Sequence, residues 1–273
     1  MDREALIFLH IPKTAGTTLN RIIEWQYNPL SIFTIDPHRI RATATRFKTF
    51  SEERRRRFRV VRGHLPYGIH EYLPQGAVYI TMLREPVARL LSSYYYILDW
   101  PLHPLHRKFK SERLGIEDLI ALQPHRRNLQ CRFISGLGKV GTCDERTLKT
   151  AKENLARSFR VVGLSERFQE SLLLMMAFFG WKVPFYGNYK VSKTRPSSDP
   201  RLVEMLTEHN RLDVELYEFG KKLFEESLRK NEDVIRKTRI SLSAIPKPGS
   251  LQRFCHATFG VGRFLMSKAV SAI

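Results

Sequence analysis

The sequence predicts an α/β fold in which helices flank a central parallel sheet. Two observations indicate this class. Short, continuous apolar runs, typical of strands buried on both faces of a parallel sheet, alternate with segments of helical periodicity. The first run, 5–11, leads through a loop of small residues at 12–18 into a helical pattern, which makes a strand-loop-helix unit. The chain of 273 residues is long enough to bury the core of one sizeable domain.

Three further apolar runs, 58–64, 77–84 and 159–164, predict the remaining strands. A helix is expected to begin near Pro86, because proline is favoured in a first helical turn. Helical spacing also predicts a mostly helical region and two later helices. These segments are 114–155, 172–179 and 203–228.

Charge divides the chain into two parts. Lys and Arg number 46 against 27 Asp and Glu, a formal net charge of +19, which favours anionic partners without choosing among them. We expect a domain over 1–240 and a basic, apolar tail over 241–273, which is a candidate for contact with a membrane surface.

No apolar run is long enough to span a bilayer. The three cysteines lack the spacing of a zinc site, and no metal site is expected.

The first loop has the chemistry of an anion site. A loop between a buried strand and a helix directs backbone N–H groups at one point, reinforced by the positive end of the helix dipole. Lys13 adds a mobile charge, and Ala15 and Gly16 let an anion approach the backbone. The predicted anion-binding residues of this loop are Lys13, Thr14, Ala15, Gly16, Thr17 and Thr18.

Two other classes of function remain open at this point. A phosphate-loop kinase would suit the loop, although the Walker A pattern is absent and the 77–84 strand ends in Arg84 rather than an aspartate that could hold Mg²⁺. A non-catalytic module that binds nucleic acid or sulfated glycan would explain the charge. That module would not explain an ordered pair of anion-binding motifs.

Two segments carry a resemblance to a known family. The segment 10–19, HIPKTAGTTL, closely resembles the 5′-phosphosulfate loop of Golgi-type carbohydrate sulfotransferases. The segment 83–96, LREPVARLLSSYYY, is similar to the 3′-phosphate segment of that family, in which an Arg and a Ser eight residues later clamp the phosphate. Arg84 and Ser92 have that spacing, and eight residues along a helix return nearly to the same face.

The resemblance implies transfer of a sulfonate group from 3′-phosphoadenosine 5′-phosphosulfate (PAPS) to a hydroxyl of a carbohydrate or glycoconjugate. It also implies a fold like that of the P-loop nucleotide kinases and a reaction without a metal. Lys13 is then expected to stabilise the charge that accumulates on the leaving group. A late segment, 188–195, resembles the basic loop over the 3′-phosphate, so Lys193 and Arg195 become donor ligands.

His64 is the predicted catalytic base, because a histidine in a comparable Gly-His segment has that role in the uronyl 2-O-sulfotransferase branch. Its neutral imidazole is suited to taking a proton from a hydroxyl. His70, Glu71 and Glu85 remain alternatives, since other branches use a glutamate. We expect His10 to be structural.

The expected acceptor is an oligosaccharide, a polysaccharide or a glycolipid, and nucleic acid is not an expected partner. Eukaryotic relatives are usually anchored in the Golgi membrane by an N-terminal segment. Without such a segment, the sequence predicts a bacterial cytoplasmic enzyme, with contact at the inner membrane face through the tail as a further hypothesis.

Overall fold

The computed structural model describes residues 4–182 and 199–243, with side chains described as far as residue 238. In these ranges one parallel sheet of five strands has the order β2-β3-β1-β4-β5. The strands are β1 (Ala5–Leu9), β2 (Ile32–Ile35), β3 (Val60–Gly63), β4 (Ala77–Leu83) and β5 (Phe159–Leu164). The predicted α/β class with a central parallel sheet is confirmed.

Twelve α-helices occur in the described ranges. They are α1 (Gly16–Gln26), α2 (Ile40–Thr49), α3 (Glu52–Arg56), α4 (Pro86–Asp99), α5 (His106–Ser111), α6 (Ile116–Leu122), α7 (Leu129–Ser135), α8 (Glu145–Ser158), α9 (Phe168–Phe179), α10 (Pro200–His209), α11 (Arg211–Lys230) and α12 (Glu232–Ser243). None of the helices in this part of the chain is long and apolar enough to cross a membrane.

Strand β2 is an edge strand that the sequence pattern did not predict. It has four residues and pairs only with β3 within the sheet. Its Phe33 is fully buried among Phe47, Phe50 and Phe58. The strand is therefore held by an aromatic cluster from distant segments, which a four-residue apolar run does not reveal.

The predicted helix over 203–228 is wrong in one respect, because the chain forms two helices that meet at Asn210. This residue is fully buried, and its side-chain amide donates to the Leu206 carbonyl at 2.8 Å. Its Oδ1 accepts the backbone N–H of Asn128 at 3.1 Å. A side chain that bonds to nearby and distant backbone groups stabilises a break between helices.

Helix α11 also caps α7. The buried Asp213 accepts the backbone N–H of Gln130 at 3.1 Å and that of Cys131 at 2.7 Å. These groups belong to the first turn of α7, where no intrahelical carbonyl can accept them. The cap fixes Gln130, whose side chain contacts the site described below.

The sheet brings three chain segments to one edge. Leu9 of β1 is in register with Gly63 of β3 and with Thr81 of β4. Because all three strands are parallel, the segments that follow them leave the sheet side by side, as in other open α/β folds that bind ligands at this edge. His10, His64 and Arg84 each come directly after one of these strands.

Candidate active site

A cleft of about 300 Å³ lies at the carboxyl edge of the sheet. Two groups of lining residues matter for its chemistry. We call Lys13, Gly16, Thr17, Thr18, Arg84 and Ser92 the loop wall, and His103, His125, Arg126 and Lys139 the basic wall. His10 and His64 also line the cleft. Among the described residues that line it, none is Asp or Glu.

The loop between β1 and α1 is tightly wound. Lys13 and Ala15 have φ angles of 73° and 61°, in the left-handed region that side chains rarely adopt. Gly16 packs against the His10 ring so closely that a Cβ atom would lie 2.0 Å from ring atoms Cδ2 and Nε2. Only glycine permits this approach, which explains the small residue at the start of α1.

The start of α1 faces the cleft. The N–H groups of Gly16 and Thr17 belong to the first helical turn, which leaves them available to an anion. Thr17 and Thr18 line the cleft beside them. Thr14 differs from its neighbours, because its side chain is fully buried and its hydroxyl donates to the Ile11 carbonyl at 2.9 Å. Its hydroxyl therefore shapes the loop.

Arg84 and Lys13 are linked through the backbone. The Arg84 guanidinium donates from Nη1 to the Lys13 carbonyl oxygen at 3.1 Å. The Gln130 side chain accepts the Arg84 N–H and donates to the Arg84 carbonyl, both at 2.9 Å. Lys13 Nζ lies 4.0 Å from the centroid of the Tyr96 ring. These contacts hold two cationic side chains that line the same cleft.

Helix α4 carries Ser92, the hydroxyl that the family resemblance predicts. Ser92 is fully buried within α4 and lines the cleft with Arg84 and Lys13. Glu85 caps the helix, since its carboxylate accepts the N–H groups of Val87 at 2.9 Å and Ala88 at 2.6 Å. The carboxylate of Glu85 is thereby bound to the backbone, and this predicted alternative base does not line the cleft.

His64 is oriented by a hydrogen bond that settles its tautomer. Its Nδ1 lies 2.7 Å from the His10 carbonyl oxygen, which can only accept, so Nδ1 carries the proton and Nε2 keeps a lone pair. Burial lowers the pKa of His64; the hydrogen bond to His10 opposes this shift, and the charge of Lys139 adds a smaller lowering. The ring is therefore neutral near pH 7, as a proton acceptor must be.

The basic wall comes from connecting segments. Burial and the charges of Lys139, Arg126 and Arg132 lower the pKa of His125 to about 4. Burial and the neighbouring Arg89 lower the pKa of Arg126 to about 10. Burial is the largest cause of both shifts, and the neighbouring positive charges add to it; an anionic ligand would offset the contribution of these charges. No sequence motif predicts a role for these side chains.

The other predicted residues fall into two groups. His70 and Glu71 do not line the cleft, and His70 Nδ1 lies 3.0 Å from the Tyr79 hydroxyl. Lys193 and Arg195 lie outside the described residues, as does the 244–273 part of the tail. Within the described ranges, no group of three or more His, Cys, Asp or Glu side chains is placed to hold a metal ion.

Lys13, Arg84 and the neutral His64 therefore lie with the start of α1 at one edge of a parallel sheet, an arrangement suited to binding an anionic ligand. Comparison with known proteins specifies the class. Residues 1–244 match the family described as Galactose-3-O-sulfotransferase. The chain belongs to this sulfotransferase family.

The chain is also similar to individual sulfotransferases. Heparan sulfate 2-O-sulfotransferase 1 of Gallus gallus is 24% identical over 258 residues, which are 82% of this chain and 71% of the relative. Galactosylceramide sulfotransferase of Mus musculus is 28% identical over 177 residues, or 59% and 41% of the two chains. A crystal structure of a sulfotransferase from Alicyclobacillus acidocaldarius is 18% identical, with a TM-score of 0.46, over 82% of this chain and 97% of the other.

Proposed function

We propose that this sulfotransferase uses PAPS as its donor and binds it along the loop wall. The observation that carries the proposal is that Lys13, Arg84 and Ser92, which come from two separate motifs, line one cleft with the start of α1. The first turn of α1 and Lys13 suit the 5′-phosphosulfate. The guanidinium of Arg84, with its fork of donors, and the hydroxyl of Ser92 suit the 3′-phosphate.

The proposed reaction is an in-line displacement at sulfur. The acceptor oxygen forms a bond to sulfur while the bond from sulfur to the bridging oxygen of the 5′-phosphate breaks. The hydroxyl proton passes to Nε2 of His64, and 3′,5′-phosphoadenosine leaves with the bonding electron pair. Lys13 and the N–H groups of Gly16 and Thr17 stabilise the charge that develops on the bridging and sulfonate oxygens.

The acceptor is proposed to be a hydroxyl of an oligosaccharide, a polysaccharide or a glycolipid. Two relatives are named for heparan sulfate and for galactosylceramide, which are carbohydrate acceptors of different charge. The basic wall favours an acidic sugar here, because Lys139 acts electrostatically on both His64 and His125 and no carboxylate lines the cleft among the described residues. An anionic group beside the accepting hydroxyl would therefore meet positive charge.

The first test is thermal stabilisation of the full chain by 3′,5′-phosphoadenosine, with ADP plus Mg²⁺ as the control. Saturation at about 100 times the dissociation constant adds roughly 2.7 kcal/mol to the free energy of unfolding. We expect this shift with 3′,5′-phosphoadenosine alone. A larger shift with ADP and Mg²⁺ would favour the kinase, and polyanion binding without nucleotide dependence would favour the binding module.

The second test is transfer of labelled sulfonate from PAPS to a panel of neutral and acidic saccharides. Transfer to any of them establishes the acceptor class, and a preference for acidic saccharides supports the assignment of the basic wall. The bacterial cytoplasmic location and the membrane contact through 241–273 stay proposals. Fractionation of cells that produce the full chain and the 1–240 domain would test them.

A further inference from the structure

Two imidazole rings lie against each other in the cleft, tilted rather than stacked. The ring centroids of His10 and His64 lie 4.3 Å apart, with 38° between the planes, and both side chains line the cleft. Two buried imidazoles at this distance do not both carry a charge, because each disfavours protonation of the other. His64 can therefore accept a proton only while His10 is neutral, and some feature must decide which ring is protonated.

The contact between Asn20 and His10 determines which of the two rings is protonated. The side-chain amide Nδ2 of Asn20 lies 3.3 Å from Nδ1 of His10. An amide nitrogen only donates, so Nδ1 of His10 is the acceptor and the ring proton is on Nε2. The Oδ1 atom of Asn20 is buried and makes no hydrogen bond within the described structure, and Nδ2 is the atom of this amide that contacts His10.

Asn20 is itself held by a buried ion pair. Arg62 donates from Nη1 to the Asn20 carbonyl oxygen at 2.9 Å and from Nη2 to Glu24 Oε1 at 2.7 Å. Arg62 and Glu24 are each 1% exposed, and Arg62 lies two residues before His64 on β3. The ion pair therefore ties the backbone of α1 at Asn20 to the strand that carries His64.

The positive charges around the two rings also disfavour a protonated His10. His10 is faced by the charges of Lys13 and Arg62 as well as by His64, and burial with these charges holds its pKa well below the usual value. Lys139 faces His64, whose Nδ1 proton is already committed to the His10 carbonyl. The Nδ1 lone pair of His10 accepts the Asn20 amide, whereas Nε2 of His64 keeps its lone pair. A proton that reaches the two rings therefore binds to Nε2 of His64.

We propose that Asn20 is a positioning residue that keeps His10 neutral as its Nε2–H tautomer, so that His64 alone receives the proton of the acceptor hydroxyl. The proposal rests on the proposed function, in which His64 is the base. His10 then has a role beyond packing, because its ring stays neutral and its backbone carbonyl orients His64. In the reaction, the proton moves from the hydroxyl oxygen to Nε2 of His64, while the Nδ1 proton stays on its bond to the His10 carbonyl.

The wild-type chain provides the first test. Nitrogen-15 spectra of the histidine side chains at neutral pH report which ring nitrogen carries the proton. We expect opposite tautomers, with the proton on Nε2 in His10 and on Nδ1 in His64. A proton on Nδ1 of His10 would mean that Asn20 accepts rather than donates, and the proposal would be overturned.

Substitution of Asn20 provides the second test. In Asn20→Asp a carboxylate accepts a proton from Nδ1 and favours a charged His10, so the acid limb of the kcat profile moves up by about one pH unit or more. In Asn20→Ala we expect kcat to fall by about tenfold, with the donor KM unchanged. Gln26→Ala is the matched control, because Gln26 is an amide on the same helix that donates to the Lys182 carbonyl at 2.9 Å.

The His64→Ala variant and the binding of 3′,5′-phosphoadenosine distinguish failure of the base assignment from failure of the proposal about Asn20. If His64→Ala retains full turnover, the base assignment in the proposed function fails, whatever Asn20 does. If His64→Ala loses turnover while Asn20→Asp keeps the wild-type pH profile and binds the nucleotide normally, the proposal about Asn20 alone is wrong. A purely structural role for Asn20 would lower stability without moving the pH profile.

Discussion

The loop wall and the basic wall line the same cleft but are built differently. The loop wall comes from the segments that follow β1 and β4, from the first turn of α1 and from the second turn of α4, and Arg84 donates to the Lys13 carbonyl. The basic wall comes from segments between helices, with His103 before α5, His125 and Arg126 in a short turn, and Lys139 after α7. We infer that the fold fixes donor binding, whereas acceptor choice depends on connections that can change without disturbing the sheet.

The largest effect should come from the loop wall. We expect Lys13→Ala to lower kcat by about 10³-fold, because it removes a charge aimed at the leaving group. Turnover with saturating PAPS measures this loss. Lys152→Ala is the control, since Lys152 lies on α8 and forms an exposed ion pair with Glu215 at 3.2 Å. Equal turnover in the two variants would remove Lys13 from the mechanism.

His64, which lines the cleft with both walls, should show the next largest effect. A base acts in its deprotonated form, and burial lowers the pKa of His64, so the activity should be lost only as the pH falls below about 6.5. His64→Ala should lose about 10²-fold or more in kcat and should lack this acid limb. An unchanged pH profile of kcat/KM in His64→Ala would assign the limb to another group.

Arg84 tests whether the loop wall recognises the 3′-phosphate. Arg84→Ala should weaken binding of 3′,5′-phosphoadenosine by about 10- to 100-fold, the value of a charged hydrogen-bonded contact. Adenosine 5′-phosphate, which lacks the 3′-phosphate, should bind both proteins alike in calorimetry. Equal weakening for the two nucleotides would show that Arg84 acts only through its bond to the Lys13 carbonyl.

The smallest effect is expected on the basic wall. Lys139 is exposed, so Lys139→Ala should raise KM for an acidic saccharide by only about three- to fivefold. KM for a neutral saccharide should not change. Arg146→Ala, which removes an exposed charge on α8, is the matched control. The same rise in both variants would mean a general effect of net charge and would contradict a specific acceptor subsite.

The contrast between the walls also explains what the sequence could predict. The residues of the loop wall lie in two continuous segments, 12–18 and 84–92, and strand ends in parallel sheets meet at one edge. The sequence therefore predicted Lys13, Arg84, Ser92 and His64 as neighbours, and all four line one cleft. Their assigned roles stay predictions.

The basic wall could not be predicted in the same way. His103, His125, Arg126 and Lys139 belong to three short connections between helices, where no periodicity indicates the direction of a side chain. The roles of Asn20 and Arg62 were hidden for another reason. They act through bonds between α1 and β3, and a lone Asn in a helical pattern is usually a solvated polar residue.

The cap that Asp213 provides has a consequence for synthesis of the chain. Gln130, which brackets Arg84, is anchored at its own backbone N–H by a carboxylate that emerges from the ribosome 83 residues later. Domains fold as units once the required contacts are available, beginning from the N-terminal side. The nucleotide site should thus mature late, when α11 docks. Nascent chains arrested before Asp213 should already contain both motifs and yet fail to be retained on immobilised 3′,5′-phosphoadenosine.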